Sequence, residues 1–238
     1  MYSNITGKPG VQATFTAVPR SLFYGNRQDA RFIPGPVTVD GTLSSNPQNT
    51  PYTWLLFAGQ PVGKVTATGK YATSIMGLST AAIAAAGTSL TTDVNTAAEV
   101  LRRVGIGGTI TLAGPAVANT APVNSETATV SAVNTGTGVI TLSAGTTHAY
   151  VSGSLIQPAD GSQTIVTLIC DLYGNKVVDC TNTVRVDVYD AQLWAGGGIV
   201  DEGYIVGYPT DTAIQAYLKA AIRAGIPSAL FRNDLINS

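Results

Sequence analysis

The chain has one histidine, His148, so any Ser/His/Asp or Cys/His nucleophilic site has to be built on it. It lies in the segment 145–148 between two runs of strand character, with no carboxylate close in sequence. A lone histidine in such a loop reads as solvent-exposed or structural, and catalysis there is discounted. The densest acidic group is Asp201-Glu202, with Asp187 and Asp190 earlier. It reads as a solvated loop edge, the alternative being a weak cation site. The chain has neither the spacing of an EF-hand nor a His/Cys ligand pattern, so no metal and no cofactor is expected. A glycan hydrolase would need a spaced pair of carboxylates on an evident scaffold, which these residues do not supply.

Ala195-Gly196-Gly197-Gly198 suggests a phosphate loop but lacks the Lys and Ser/Thr that follow in a P-loop. The glycines read better as a turn or a close backbone contact. Cys170 and Cys180 flank a stretch that looks like a hairpin, and a turn centred on Asn175 would bring them within disulfide reach. A chain that folds in a reducing cytoplasm, as expected without a signal sequence, would keep them as thiols. Two cysteines are too few for a zinc site. Trp54 and Trp194 stand beside glycine-rich turns. Core packing is the reading for Trp54; for Trp194, core packing and an interface anchor both stand. With no constellation for catalysis, the chain is read as non-enzymatic.

Composition points the same way. Charged residues make up 11% of the 238, against about 25% in an average globular chain, while hydrophobic residues reach 45% and glycines number 26. So weakly charged a surface suits a protein that ends packed against other proteins. A net charge of −1 and a pI near 5.7 provide no basic field for nucleic acid or an anionic membrane. The longest apolar stretches fall far short of the roughly 20 residues that span a bilayer. Neither nucleic acid nor membrane is therefore expected as a partner.

The elements that would carry any surface are mostly strands. Residues 127–133 and 138–142 alternate apolar and small polar side chains around the turn Asn134-Thr135-Gly136-Thr137, which predicts a β-hairpin. Strands are also expected at 54–58, 63–67, 70–75, 109–112, 149–156 and 184–188, with a second hairpin from 164–172 and 176–181 and a loop over 114–125. Two helices interrupt them. One spans 93–104, with Asp93 at its start, Gly105 as its stop and Val94, Ala97, Ala98, Leu101 and Val104 on one face. The other spans 212–224, with Ile214, Tyr217, Leu218, Ala221 and Ile222 as its apolar stripe.

Residues 1–50 contain Gly and Pro at close intervals yet hold Phe15, Leu22, Phe23, Tyr24, Phe32 and Ile33. That content is too apolar for a solvated tail, so the segment reads as an extended arm that orders against a neighbour. Arg20, Arg27 and Arg31 would either meet acidic patches there or stay solvated. Residues 78–158 could be lifted out to join the strands on either side, which marks them as an inserted β-subdomain. The expected architecture is mainly β, a β-rich α+β chain: an arm at 1–50, a small β-sheet body with a β-tulip-like form at 51–77 and 159–238, the insert at 78–158, and a C-terminal helix.

An extended arm followed by WLLFAGQPVGKVTATGKYATS and then ADGSQTIVTLICDLYGNKV resembles the head decoration, or cement, proteins of tailed bacteriophages. Residues 127–156 are similar to β-insertions of phage virion proteins. The resemblance covers residues 1–75 and 160–238 loosely; the length of the chain and the long insert depart from it. It implies a structural virion protein, made in the host cytoplasm and sited on the capsid exterior as a homotrimer. There it would bind neighbouring major capsid protein subunits by burying apolar surface and adding strands to sheet edges. Phe15, Leu22, Phe23, Tyr24 and Phe32 of the arm are the expected capsid contacts, and the insert would face outward or bridge neighbours. Other readings are a tail tube, a head fibre base, a carbohydrate-binding adhesin or, with less support, a glycan hydrolase.

Overall fold

The computed structural model describes residues 22–24, 30–35, 37–47, 56–170, 187, 188 and 191–236. The chain is mainly β, with 32% strand against 18% helix. In chain order its elements are β1 (Phe23–Tyr24), β2 (Arg31–Phe32), β3 (Pro61–Lys64), β4 (Tyr71–Thr73), β5 (Gly77–Leu78) and β6 (Ser89–Thr91). Then follow α1 (Val94–Arg103), β7 (Thr109–Pro115), β8 (Val123–Asn134), β9 (Val139–Leu142), β10 (Leu155–Pro158) and β11 (Thr167–Leu168). The C-terminal part holds β12 (Trp194–Gly196), β13 (Ile199–Val200), α2 (Thr212–Gly225), β14 (Leu230–Phe231) and α3 (Arg232–Ile236).

The turn at Asn134 sets the hairpin of β8 and β9. Its side-chain Oδ1 accepts from the backbone N–H groups of Gly136 and Thr137 at 3.0 and 3.2 Å. Gly138 follows with φ +73°, where a Cβ would stand 2.1 Å from the Thr92 carbonyl oxygen, so only glycine fits this corner. Both strands form where expected, but β8 is longer. It pairs with β7 from Val123 to Thr129 and with β9 from Val130 to Asn134, the latter pairing shifting register between Val130 and Ala132. The bulge lets one strand serve two directions. It also shortens the expected loop at 114–125 to residues 116–122.

These strands belong to a curled six-stranded sheet in the order β5-β10-β7-β8-β9-β6. Its two outer strands meet, through the antiparallel bridge Ser79↔Thr92 and the bond from Thr80 N–H to the Thr91 carbonyl at 2.9 Å. The sheet thus closes on itself as a small barrel, which removes most of its free edge. Its interior is filled by Ile83, Leu90, Ile110, Leu112, Val130, Ile140, Leu142, Tyr150 and Ile156, and Ala97 and Val100 of α1 plug it. Burying each Leu or Ile contributes about 1.5–3 kcal/mol relative to exposure.

The remaining strands form three smaller sheets, β11-β3-β4, β1-β13-β14 and β12-β2, joined by a core around Trp194, Phe231 and the apolar stripe of α2. A third core, with Val37, Val39, Leu56, Val62, Ile169 and Leu193, lies under β3. Helix α2 ends at Gly225 and is capped by Asp211, whose Oδ1 accepts from the N–H groups of Ala213 and Ile214. Ile214, Leu218 and Ile222 of its expected stripe are fully buried, with Tyr217 and Ala221 packed against them.

Other expectations change. Leu56 and Phe57 are not in a strand, and the strand expected at 63–67 begins at Pro61 and ends at Lys64. The chain then turns, with the Val65 N–H bonded to the Lys70 carbonyl and the Gly69 N–H to the Val65 carbonyl. Of the second expected hairpin, 167–168 form β11, which pairs with β3, and the expected partner strand 176–181 lies outside the described residues. On α1 the face is turned: Thr96, Ala97, Glu99 and Val100 are buried, while Val94, Ala98 and Leu101 are exposed.

Candidate functional site

The turn of α1 has a clear cause in Arg103. Its side chain is 1% exposed and reaches out of the barrel segment into the body. One guanidinium nitrogen donates to Asp160 at 3.0 Å and to the Ser162 hydroxyl at 2.6 Å; the other donates to the carbonyl and hydroxyl oxygens of Thr73. Burial pushes the guanidinium below its ordinary pKa, and the Asp160 charge opposes that shift. Burial acts to raise Asp160, but Arg103 and two hydrogen bonds from Ser162 outweigh it and hold the carboxyl below the usual range. The neighbouring Arg102 grips Glu99, one helical turn back, through two bonds of 2.7 and 2.6 Å and also donates to the Thr42 carbonyl. Since Glu99 and Arg103 share a face, these polar anchors decide which side of the helix goes inward.

A second junction lies at the other end of the barrel. The loop 116–122 presents Asn119 to the start of α2, where its N–H donates to Asp211 at 2.6 Å and its Oδ1 accepts from the Thr212 N–H at 2.8 Å. The Asp211 carboxylate therefore caps α2 with one oxygen and holds the barrel loop with the other. Ala113 and Leu155 of the barrel strands also enter the body core.

The residues singled out for chemistry are dispersed. His148 is exposed, as read from sequence. Glu126, from the facing strand β8, accepts from the Thr147 N–H at 2.9 Å. Burial acts to raise the Glu126 carboxyl, yet its hydrogen bonds, those from Thr147 first among them, leave it below its ordinary value. Burial and that charge push the Tyr150 phenol up. Of the four acids, Asp187 pairs with Lys70 at 2.6 Å, and Asp190 lies outside the described residues. Asp201 caps the short turn Glu202–Tyr204 and pairs with Arg232 at 2.9 Å. Glu202 is not the solvated edge expected; it is buried, accepts from the Asn233 N–H, and lies 3.7 Å from Lys219. Among the described residues no group of three His, Cys, Asp or Glu is placed to hold a metal ion.

Cys170 is buried, while Cys180 lies outside the described residues, and with it the expected pairing. Trp194 is a core residue. Its ring is fully buried, stands edge-on to Phe23 with centroids 5.7 Å apart, and its Nε1–H donates to the Gly197 carbonyl at 2.9 Å. Ala195–Gly198 serves that packing: β12 ends there, and the three glycines all have positive φ.

The arm needs the largest correction. Leu22 and Phe23 are 2% and 5% exposed and belong to the chain's own core. Strand β1 pairs with β13, and β2 places Phe32 opposite Trp194, half-buried against the same core. Val37 and Val39 are buried under β3. These side chains order against their own chain, so Leu22 and Phe23 have no free surface for a capsid. Of Tyr24 the backbone pairing with Ile199 is described; Phe15 and Trp54, like Arg20 and Arg27, lie outside the described residues, and Arg31 is exposed.

What remains open is surface. A groove of about 640 Å³ runs past Asn46, Phe57, Ile205, Val206, Tyr208 and Gln215. Asn46 is buried there, and its Oδ1 has no hydrogen-bond partner among the described residues. The Tyr208 phenol is pushed up by burial and by the charges of Glu202 and Asp234, so it stays a hydrogen-bond donor. The apolar side chains left exposed fall mainly into two places, Val94, Leu101 and Ile106 along and beyond α1, and Leu230, Leu235 and Ile236 at β14 and α3. No helix among the described residues is long and apolar enough to cross a membrane.

Comparisons with known protein families, with curated proteins and with solved structures find no match. The molecule's own geometry therefore carries the functional argument. Sequence reasoning missed the Arg103 anchor, because its partner Asp160 stands 57 positions away. The one local sign was the pair Arg102-Arg103 closing a helix, which the helix dipole alone accounts for.

Proposed function

We propose that this chain is a structural protein of a tailed-phage virion that binds the outer surface of the assembled capsid and cements neighbouring major capsid protein subunits. It would act as a homotrimer, through buried apolar surface and strand addition, with no chemical step. One observation carries the reading. The two segments with the resemblance, at residues 54–74 and 159–177, meet in a single sheet: Val62 of β3 pairs with Thr167 of β11, and Pro61 with Leu168. Gly63 lies so close under the second segment that a Cβ would stand 2.2 Å from the Thr164 carbonyl oxygen and 2.3 Å from that of Ser162. The PVGKV and DGSQT stretches thus fit each other as parts of one small β body, and the barrel emerges between them.

Because Leu22, Phe23, Val37 and Val39 are core residues, the reading assigns the capsid contact to the residues before Leu22, Phe15 among them. Removing residues 1–20 should leave the thermal transition unchanged and abolish co-sedimentation with capsids lacking the protein. Removing residues 1–50 should unfold the body. Capsid binding at full strength by the chain lacking residues 1–20 would refute the arm's role, and failure of the intact chain to bind capsids would refute the whole reading.

A further inference from the structure

We infer that the groove beside the start of α2 binds a neutral sugar unit of a glycan. Its walls are tied to one another within the fold. The turn at 57–60 closes through the bond from the Gln60 N–H to the Phe57 carbonyl at 3.3 Å, and the Val206 N–H donates to the Gly59 carbonyl at 3.0 Å. Gly59 lies so near the opposite wall that a Cβ would stand 2.1 Å from the Tyr204 carbonyl oxygen. From α2, the Gln215 side chain reaches back, and its Nε2 donates to the Pro209 carbonyl at 2.9 Å. A preformed concavity of about 640 Å³ has the dimensions of a small-molecule site rather than of a flat protein contact.

Asn46 points to a ligand. It lines the groove, is 3% exposed, and its Oδ1 has no hydrogen-bond partner among the described residues. A buried amide oxygen left unpaired is costly, and native folds leave few of them; a hydroxyl entering the groove would satisfy it. Gln215, with its Nε2 engaged, keeps Oε1 as an acceptor. Burial and the charges of Glu202 and Asp234 push the Tyr208 phenol up, so it keeps its proton and donates. Phe57 and Tyr208 line the groove as half-buried rings, whose electron-rich faces suit the polarised C–H groups of a sugar ring. None of the described lining residues is charged. Nearby, Glu202 is compensated by Lys219, and Asp234 by Lys219 and Arg223. Two amides, a phenol and two rings without a charge match a neutral ligand that donates, accepts and carries an apolar face, which is what a pyranose offers. The inference does not rest on the capsid reading, since it concerns the purified chain and a soluble ligand.

Calorimetric titration of the full chain tests it, with maltotriose, cellotriose and chitotriose as neutral probes and trigalacturonate as the anionic counterpart. At least one neutral probe should bind, and more tightly than trigalacturonate. Tyr208→Phe, which deletes a single oxygen, should weaken that binding about fivefold. Asn46→Leu, of similar volume, should abolish it and leave the thermal midpoint unchanged or raised, since no bond to Oδ1 is lost; a lower midpoint would overturn the role given to Asn46. Should Asn46→Leu fail to fold, Tyr208→Phe decides alone. If no neutral probe binds at millimolar concentration, the groove is not a sugar site. If the variants bind as the wild-type chain does, the sugar sits elsewhere and the inference fails, and equal binding of trigalacturonate would overturn the selection for a neutral ligand.

Discussion

The barrel and the body solve the problem of a core in opposite ways. Within the barrel, every residue of the buried cluster except Met76 comes from one continuous stretch, Ile83 to Ile156, and the sheet closes through Ser79 and Thr92. The body draws its main core from Leu22 at one end of the chain to Phe231 at the other, and β1 and β14 remain at the edges of its three-stranded sheet. A continuous segment closed on itself needs little from its surroundings. An assembly of distant segments depends on every one of them, and its open edges are where partners can add. The contrast places a self-contained core in the barrel and the edges β1 and β14 in the body.

The strongest way to break this contrast is Trp194→Ala. Trp194 touches the arm through Phe23 and lies in the body core, so its loss should cost about 4 kcal/mol. The loss should fall on the body alone. Hydrogen exchange should show body amides losing protection while β7, β8 and β9 keep theirs; equal loss in both regions would mean that the two are one cooperative unit. Next in size is Arg103→Ala, which leaves Asp160 without its buried partner and should cost about 3 kcal/mol. Here the expected sign is separation of one thermal transition into two, seen by calorimetry, since the side chain removed is the one that joins the regions.

The smallest effect is on pH dependence. Asp160 is held below its ordinary pKa in the fold, so its contribution is fully present above the unfolded value of about 3.9 and is lost as pH falls through the folded value. Unfolding midpoints measured from pH 5 down to pH 2 should fall more steeply for the wild-type chain than for Asp160→Asn. Parallel curves would remove the ion pair from the account of how the regions are joined.

What the sequence made legible was local. The limits of α1 followed from Asp93 and Gly105, the extent of α2 from its apolar stripe, and the turn at Asn134 from chemistry within four residues. Orientation was another matter. The hydrophobic period put Val94, Ala98 and Leu101 inside, but the choice was made by Arg103 and Asp160, far apart in the chain. Likewise Leu22 and Phe23 carried the right signal of burial, and only the pairing of β1 with β13 revealed that the buried partner was the chain itself. Glu202 looked solvated because its neighbours Asp201 and Gly203 are polar or small; its carboxylate is occupied by the backbone of Asn233, 31 residues on.

Leu78 of β5 and Leu155 of β10 are register partners. Adjacent strands lie about 5 Å apart, so the point where the chain leaves the body for the barrel and the point where it returns are side by side. To the body, everything between those two leucines is a single hairpin turn of unusual size. The entropy of closing a loop grows only with the logarithm of its length, so such a site tolerates gain, loss or exchange of a whole module at little cost to its host. The pairing is thus a port: a bare turn, this barrel or another module whose ends lie equally close can be carried there with little change to the body.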